Sequence, residues 1–186
     1  LVIVLLLSFV YMVAEVIGGL VSGSLALLAD AGHMLSDVGG LALSLGALWI
    51  AQRPANPKHT YGYTRAEILA ALGQGVALVV VALVIVIEGI ERLTEPREVS
   101  GSVMIGIAVG GLFVNLFGLW LLRRDQEHSL NIRGAWLHIA GDALGSVGVI
   151  LAGLAIVFLG WMWVDPLASM IISILILLAA WQLLRE

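Results

Sequence analysis

Long apolar stretches separated by short polar segments make up most of the chain, and they predict six membrane-spanning helices. A helix needs about 20 apolar residues to cross a hydrocarbon core, and many of the stretches reach that length. The loop after the second stretch carries Pro54 and Pro57, which interrupt helices. The predicted spans cover residues 1–21, 25–51, 63–92, 99–122, 131–159 and 166–184.

The polar segments predict the ends and the orientation of these spans. Asp165 and Pro166 precede the sixth span, where Asp is expected to cap the helix and Pro to occupy its first turn. Only Arg92 and Arg97 lie on one side of the six-span topology. The other basic residues of the topology share the opposite side: Arg53, Lys58, Arg65, Arg123, Arg124, Arg133 and Arg185. Because basic loops stay in the cytoplasm, both termini are expected there.

Composition supports an all-α membrane protein, a six-transmembrane-helix bundle. Hydrophobic residues make up 61% of the chain and charged residues 12%, about half the usual charged fraction of a soluble domain. The mean hydropathy is +1.07. The net charge of −4 argues against a nucleic-acid partner, and the absence of Cys excludes disulfides and thiolate metal sites. The partner of this surface is therefore the lipid bilayer.

Neither end of the sequence has the features of a natural terminus. The chain begins on an apolar run at Leu1, without an initiator Met or the basic segment of a signal peptide. It stops at Glu186, just after another apolar run. We expect the chain to be the membrane core of a longer protein.

Two His–Asp pairs are the candidate chemistry of the chain. His33 and Asp37 in the second span are four residues apart, as are His138 and Asp142 in the fifth. Residues at this spacing share one face of a helix, so each pair can point at a common object. Two imidazoles and two carboxylates form a complete tetrahedral set for Zn²⁺, whereas Ca²⁺ and Mg²⁺ prefer oxygen ligands. Geometry alone separates Zn²⁺ poorly from Co²⁺, Ni²⁺ or Cd²⁺.

The charge of this set predicts competition between metal and protons. Two ionised Asp and two neutral His carry −2, which one Zn²⁺ cancels. Without the metal a buried charge of −2 is unfavourable, so protons should enter. Such competition is the minimum requirement for a proton-coupled antiporter, and electroneutrality limits the exchange to about two protons per ion.

Simpler interpretations of the same residues remain open. One His–Asp pair could be an interhelical hydrogen bond, although two pairs with identical spacing make this less attractive. Counted at about 1.5 Å per residue from the span ends, the pairs also differ in depth by roughly 10 Å. Asp30 could draw cations into the pathway or cap the second helix. Glu15 could line the cavity or pair with a neighbouring helix.

Other intramembrane polar residues have structural interpretations. Asn115 is expected to form a hydrogen bond between helices. Glu88, Glu91 and Arg92 are expected to form ion pairs near the end of the third span.

Several stretches resemble the cation diffusion facilitators. Residues 24–37, SLALLADAGHMLSD, are similar to the second-helix signature of that family. Residues 61–70 (YGYTRAEILA) are similar to the start of its third helix, and residues 136–144 (WLHIAGDAL) to its fifth. The repeated His-x3-Asp-x2-Gly pattern of the second and fifth spans is also what an inverted repeat would leave.

This resemblance implies a dimeric zinc/proton antiporter that exports metal from the cytoplasm by alternating access. The transported substrate would be Zn²⁺, with no organic cofactor, because His at position 33 is similar to the zinc-selective members. Members of the family usually carry a C-terminal cytoplasmic domain, which this chain lacks. A second loop site of some members would have only His59 here. The absence of a His-rich loop favours a bacterial type, in the inner membrane.

Two other classes of function compete with transport. A membrane metalloenzyme would need a motif such as H-E-x-x-H, which is absent, or more than the four His of the chain. A metal sensor or scaffold would bind the ion without moving it, although a site deep in the membrane suits transport better.

Overall fold

The residues that the computed structural model describes lie mostly in helices. It describes residues 2–51, 62–123 and 130–185, with side chains for residues 5–36, 38–39, 72–123, 133, 135–178 and 180–181. No strand occurs among these residues, which confirms the all-α class. The helices are α1 (Val2–Ser22), α2 (Leu25–Ala51), α3 (Gly62–Thr94), α4 (Gly101–Leu122), α5 (Leu130–Leu159) and α6 (Val164–Arg185).

Each helix lies on one predicted span, and the ends differ by at most two residues. Within the described residues, α1, α4 and α5 each contain a stretch long and apolar enough to cross a membrane. Shorter apolar stretches occupy Leu25–Ser36 of α2 and Val164–Leu178 of α6. The crossing of a bilayer by all six helices therefore stays a prediction.

The turn between α1 and α2 is joined to the segment that precedes α4. Gly23 has a φ of 71°, the left-handed conformation that commonly ends a helix at glycine. The N–H of Ser100 donates to the carbonyl of Ser22 at 2.8 Å, which satisfies a carbonyl left over at the end of α1. Helix α4 begins at Gly101, directly after this contact and two residues after the predicted start.

Asp165 caps α2 and not α6, which corrects the prediction from sequence. Its fully buried carboxylate accepts hydrogen bonds from the Ser24 hydroxyl at 2.6 Å and the Leu25 N–H at 2.8 Å. The Ala26 N–H donates to it at 3.2 Å. Helix α6 already begins at Val164, so the side chain of Asp165 is available to reach another helix. The first turn of α6 thereby fixes the first turn of α2.

A network of charged side chains lies at the same end of the molecule. The Arg92 Nε donates to Glu88 Oε1 at 2.9 Å, and its Nη1 is 3.9 Å from Asp165 Oδ2. Arg97 pairs with Glu88 at 2.8 Å and with Glu91 at 3.3 Å. These contacts confirm the ion pairs expected near the end of the third span.

Helix α2 lies between α1, α3 and α6, while α4 packs on α5. Buried small and apolar residues of α2, α4 and α5 form the largest cluster: Ala26, Leu27, Met104, Ala108, Val149, Ala152 and Ile156. The amide of Asn115 donates to the Ser146 hydroxyl at 3.4 Å, the interhelical bond that the sequence predicted. By contrast α2 and α5 touch only slightly, so polar side chains occupy the space between them.

Candidate metal site

Three of the four predicted ligands come together between α2 and α5. His33 Nε2 lies 3.9 Å from Asp142 Oδ1, and His138 Nε2 lies 3.9 Å from Asp142 Oδ2. The ring centroids of His33 and His138 are 6.0 Å apart. Asp142 thus stands between two imidazoles that belong to different helices. Counting residues predicted that the two His–Asp pairs differ in depth, but His33 and Asp142 lie side by side.

The distances are slightly longer than those of a closed metal shell. In a tetrahedral Zn²⁺ site with ligands at about 2.1 Å, neighbouring donor atoms are about 3.4 Å apart. No three His, Asp or Glu residues reach such an arrangement among the described side chains. A movement of roughly half an ångström by each pair would bring these donors to coordinating distance.

The site is partly accessible, as a binding site for an ion must be. The side chains of His33 and Asp142 are 24% and 14% exposed, and that of His138 is 42% exposed. His138 lies toward the start of α5, on the side from which the 123–133 loop enters the helix. The exposed fraction is therefore highest for the side chain nearest to the start of α5.

Asp37 belongs to α2, but its side chain lies outside the described residues. Its position four residues after His33 puts it one helical turn away on the same face. Its participation in the site stays a prediction. His59, the only residue considered for a second site, also lies outside the described residues.

Asp30 and Glu15 lie beside the three converging residues. Asp30 is buried, and its Oδ1 is 3.7 Å from the point where a Cβ on Gly145 would stand. Gly145 follows Asp142 by three residues, so the Asp30 carboxylate faces α5 one turn along from the site. Glu15 of α1 is close enough to Asp30 and Asp142 for their charges to act on it.

Glu15 is fully enclosed in the protein. Its exposure is 0%, and neither carboxylate oxygen has a hydrogen-bond partner of normal geometry among the described residues. The nearby Tyr11 hydroxyl donates instead to the carbonyl of Ile107 at 3.1 Å. The acids that act on Glu15 belong to α2 and α5, and the choice between lining the cavity and pairing with a neighbouring helix stays a prediction.

Gln74 is a polar residue near the site, and the sequence did not lead us to predict it. Its Nε2 donates to the carbonyl of Ser36 at 2.7 Å, directly before Asp37 in the chain. The signal that could have revealed it is a single amide within the apolar run of α3.

Comparison with known proteins gives the family of the chain. Residues 1–186 match the cation efflux transmembrane domain. Zinc transporter ZitB of Escherichia coli (strain K12) is 49% identical over 177 residues, which are 95% of this chain and 56% of the relative. The cadmium, cobalt and zinc/H(+)-K(+) antiporter of Bacillus subtilis (strain 168) is 48% identical over 189 residues, 98% of this chain and 61% of that protein.

The name of a third relative refers to metal cations in general. The metal cation efflux system protein CzcD of Cupriavidus metallidurans (strain ATCC 43123 / DSM 2839 / NBRC 102507 / CH34) is 44% identical over 184 residues, 99% of this chain and 58% of the relative. The chain spans 56% to 61% of the length of these relatives. It belongs to the cation efflux family, the cation diffusion facilitators, which are transporters and not enzymes, and it is an integral inner-membrane protein.

Proposed function

We propose that this chain is the transport module of a proton-coupled exporter of Zn²⁺, with His33, Asp37, His138 and Asp142 as the ligands of the transported ion. The observation that carries the proposal is the position of Asp142 between the imidazoles of His33 and His138. Two nitrogen donors and carboxylate oxygens on facing helices are a ligand set that suits Zn²⁺. The names of the relatives support metal efflux, and one of these names includes zinc and protons.

The charge of the four ligands links metal movement to proton movement. With both Asp ionised and both His neutral, one Zn²⁺ makes the site neutral, so an empty site attracts protons. Metal binding must then release protons, because the ligands coordinate in their deprotonated forms. An exchange of about two protons per Zn²⁺ keeps the interior of the membrane free of net charge.

Alternating access requires that the same site face each side of the membrane in turn. Because α2 and α5 make few contacts, a small relative movement of these helices would open and close the site at little expense in packing. We place both termini and the 123–133 loop in the cytoplasm, from which the ion enters. A homodimer of the full-length protein is the proposed assembly.

Asp30 and Glu15 extend the proposal to a pathway for the ion. Asp30 is one turn closer than His33 to the start of α2, the end that the basic residues assign to the outside. A cation leaving the site toward that end would pass the carboxylates of Asp30 and Glu15. Buried acids at such positions lower the electrostatic barrier for a cation in the membrane.

The test is uptake of ⁶⁵Zn²⁺ into proteoliposomes of the full-length protein under an imposed pH gradient. Asp142→Ala and His138→Ala each remove one ligand, and we expect zinc affinity and flux to fall by at least about 100-fold. Gly141→Ala is the matched control, since a Cβ at Gly141 meets no atom within 4 Å. Zinc affinity should also decrease as pH falls, by up to about 100-fold per pH unit if two protons compete.

The outcomes separate the competing functions. Wild-type flux that ignores the pH gradient would contradict antiport and leave transport intact. Tight zinc binding that Asp142→Ala abolishes, with no flux in the wild type, would indicate a sensor or scaffold. Normal flux in Asp142→Ala would eliminate the proposed site.

A further inference from the structure

The amide of Gln74 ties α3 to the part of α2 that carries two of the proposed ligands. Its Nε2 donates at 2.7 Å to the carbonyl of Ser36, which is part of the peptide bond between Ser36 and Asp37. Ser36 lies between His33 and Asp37, on the turn that joins them. The hydrogen bond therefore acts on the backbone directly before a proposed ligand.

Gly39 provides the space for this contact. A Cβ on Gly39 would stand 2.8 Å from Gln74 Nε2 and 3.0 Å from its Cδ. The amide lies against the bare backbone of α2, and any larger residue at position 39 would displace it. Two helices thus each contribute one specific residue to a single contact, Gln74 from α3 and Gly39 from α2.

We propose that Gln74 is a positioning residue that holds the turn between His33 and Asp37 at the spacing Zn²⁺ needs, and thereby favours Zn²⁺ over larger ions such as Cd²⁺. The proposal rests on the proposed function, because it takes His33 and Asp37 as ligands. Helix α2 is already fixed at its first turn by Asp165, and Gln74 fixes it again three turns later.

The physical reason lies in how precisely a metal site must be held. Ligands that drift by about half an ångström no longer select between ions of different radius. Within an apolar bundle an amide has few other partners, so the bond of Gln74 to the Ser36 carbonyl is strongly preferred. Loss of the bond leaves the turn free to widen, which weakens the shell for Zn²⁺ more than for a larger ion.

The experiment removes the contact from each side in the full-length protein. Gln74→Met keeps the length of the side chain and loses the donor, while Gly39→Ala fills the space and displaces the flexible amide. The matched control is Gly73→Ala, since a Cβ at Gly73 meets no atom within 4 Å. Zn²⁺ and Cd²⁺ dissociation constants are measured by competition with a chelator in detergent, together with the midpoint of thermal unfolding.

We expect each single variant to raise the Kd for Zn²⁺ by about three- to tenfold, the range for one lost hydrogen bond. The Kd for Cd²⁺ should change less, so the preference for Zn²⁺ narrows. Because both substitutions break one contact, the double variant should be no weaker than the worse single one. Gly73→Ala should bind both ions as the wild type does.

Two results would overturn the proposal. A lower unfolding midpoint with an unchanged ratio of the two Kd values would give Gln74 a purely structural role. Additive effects of Gln74→Met and Gly39→Ala would show that they act through separate contacts. If Asp142→Ala leaves zinc binding intact, the proposed site itself is wrong. If Asp142→Ala loses zinc binding while Gln74→Met binds zinc as the wild type does, only the role of Gln74 is wrong.

Discussion

Glu15 is the residue whose burial most needs an explanation. A carboxylate inside a helix bundle is costly unless it is paired or serves a function. Its oxygens lack hydrogen-bond partners among the described side chains, and the nearest charges, on Asp30 and Asp142, repel it when ionised. A passing cation would relieve this repulsion, which fits a place on the ion pathway.

Glu15→Gln is the residue-scale prediction, since it removes the charge and keeps the size. At an effective dielectric constant of about 20, one carboxylate about 10 Å from a unit charge contributes roughly 1–2 kcal/mol. We therefore expect zinc flux in proteoliposomes to fall about tenfold, because 1.4 kcal/mol corresponds to a factor of ten in rate. The equilibrium Kd for zinc should change by less than about threefold.

Glu98→Gln is the control for Glu15→Gln, because it removes one negative charge from an exposed loop residue. It should transport zinc at the wild-type rate. Wild-type zinc flux in Glu15→Gln would show that Glu15 is not part of the ion pathway and that its role is purely structural.

At the scale of single elements, α2 is the helix whose position the rest of the chain fixes most. At the first turn of α2, the carboxylate of Asp165 in α6 accepts hydrogen bonds from the N–H groups of Leu25 and Ala26. Such a carboxylate satisfies donors that have no partner within the helix and also opposes the positive end of its dipole. A helix that carries two proposed ligands is thus tied to its neighbours by specific polar contacts.

Asp165→Ala should lower the free energy of unfolding by about 3–5 kcal/mol. The substitution leaves three donors without an acceptor. It also removes one of the two carboxylates near Arg92, which is 11% exposed and keeps its contact with Glu88. Ser24→Ala is the matched comparison, because it removes one donor to the same carboxylate and should lower the free energy by about 1 kcal/mol. Thermal and denaturant unfolding of the full-length protein in detergent measures both values.

Equal losses in Asp165→Ala and Ser24→Ala would contradict this assignment. They would mean that the hydroxyl contact carries the whole effect, and that the backbone donors of α2 find other acceptors.

At the scale of the whole molecule, the distribution of basic residues predicts its orientation in the membrane. Arg92 and Arg97 are at one end of the bundle, in a network with Glu88 and Glu91. The positive-inside rule counts Lys and Arg, and the predicted topology has two at this end and seven on the other side, so the loops on the other side should dominate.

Single-cysteine labelling tests this orientation. The chain contains no Cys, so a single introduced thiol in it is unambiguous. Glu98→Cys should react with a membrane-impermeant maleimide on intact cells, whereas Gln126→Cys should react only after the membrane is opened. Labelling of both positions from outside would contradict the six-span topology, and a reversed pattern would contradict the assigned direction of export.

Much of the helical fold follows from local sequence. Apolar runs bounded by proline, glycine and charged residues give helix positions to within two residues, because the period of apolar residues and the helix stops are local properties. The largest differences have tertiary causes. The N–H of Ser100 bonds to Ser22 just before α4, and the cap at α2 comes from Asp165, 140 residues away along the chain.

The candidate site divides in the same way. The spacing of four residues in each His–Asp pair determines by itself that each pair shares a helix face. Only the tertiary arrangement of α2 and α5 decides that Asp142 lies between His33 and His138. Residue counts along the separate helices had predicted that the two His–Asp pairs differ in depth. The contact of Gln74 with α2 likewise depends on tertiary structure, because it needs the close approach of the Gln74 amide to Gly39. The sequence by itself determined the predicted donors and the predicted class of ion, because these depend on residue type. The tertiary structure decided which of these side chains meet, because that depends on how the helices cross.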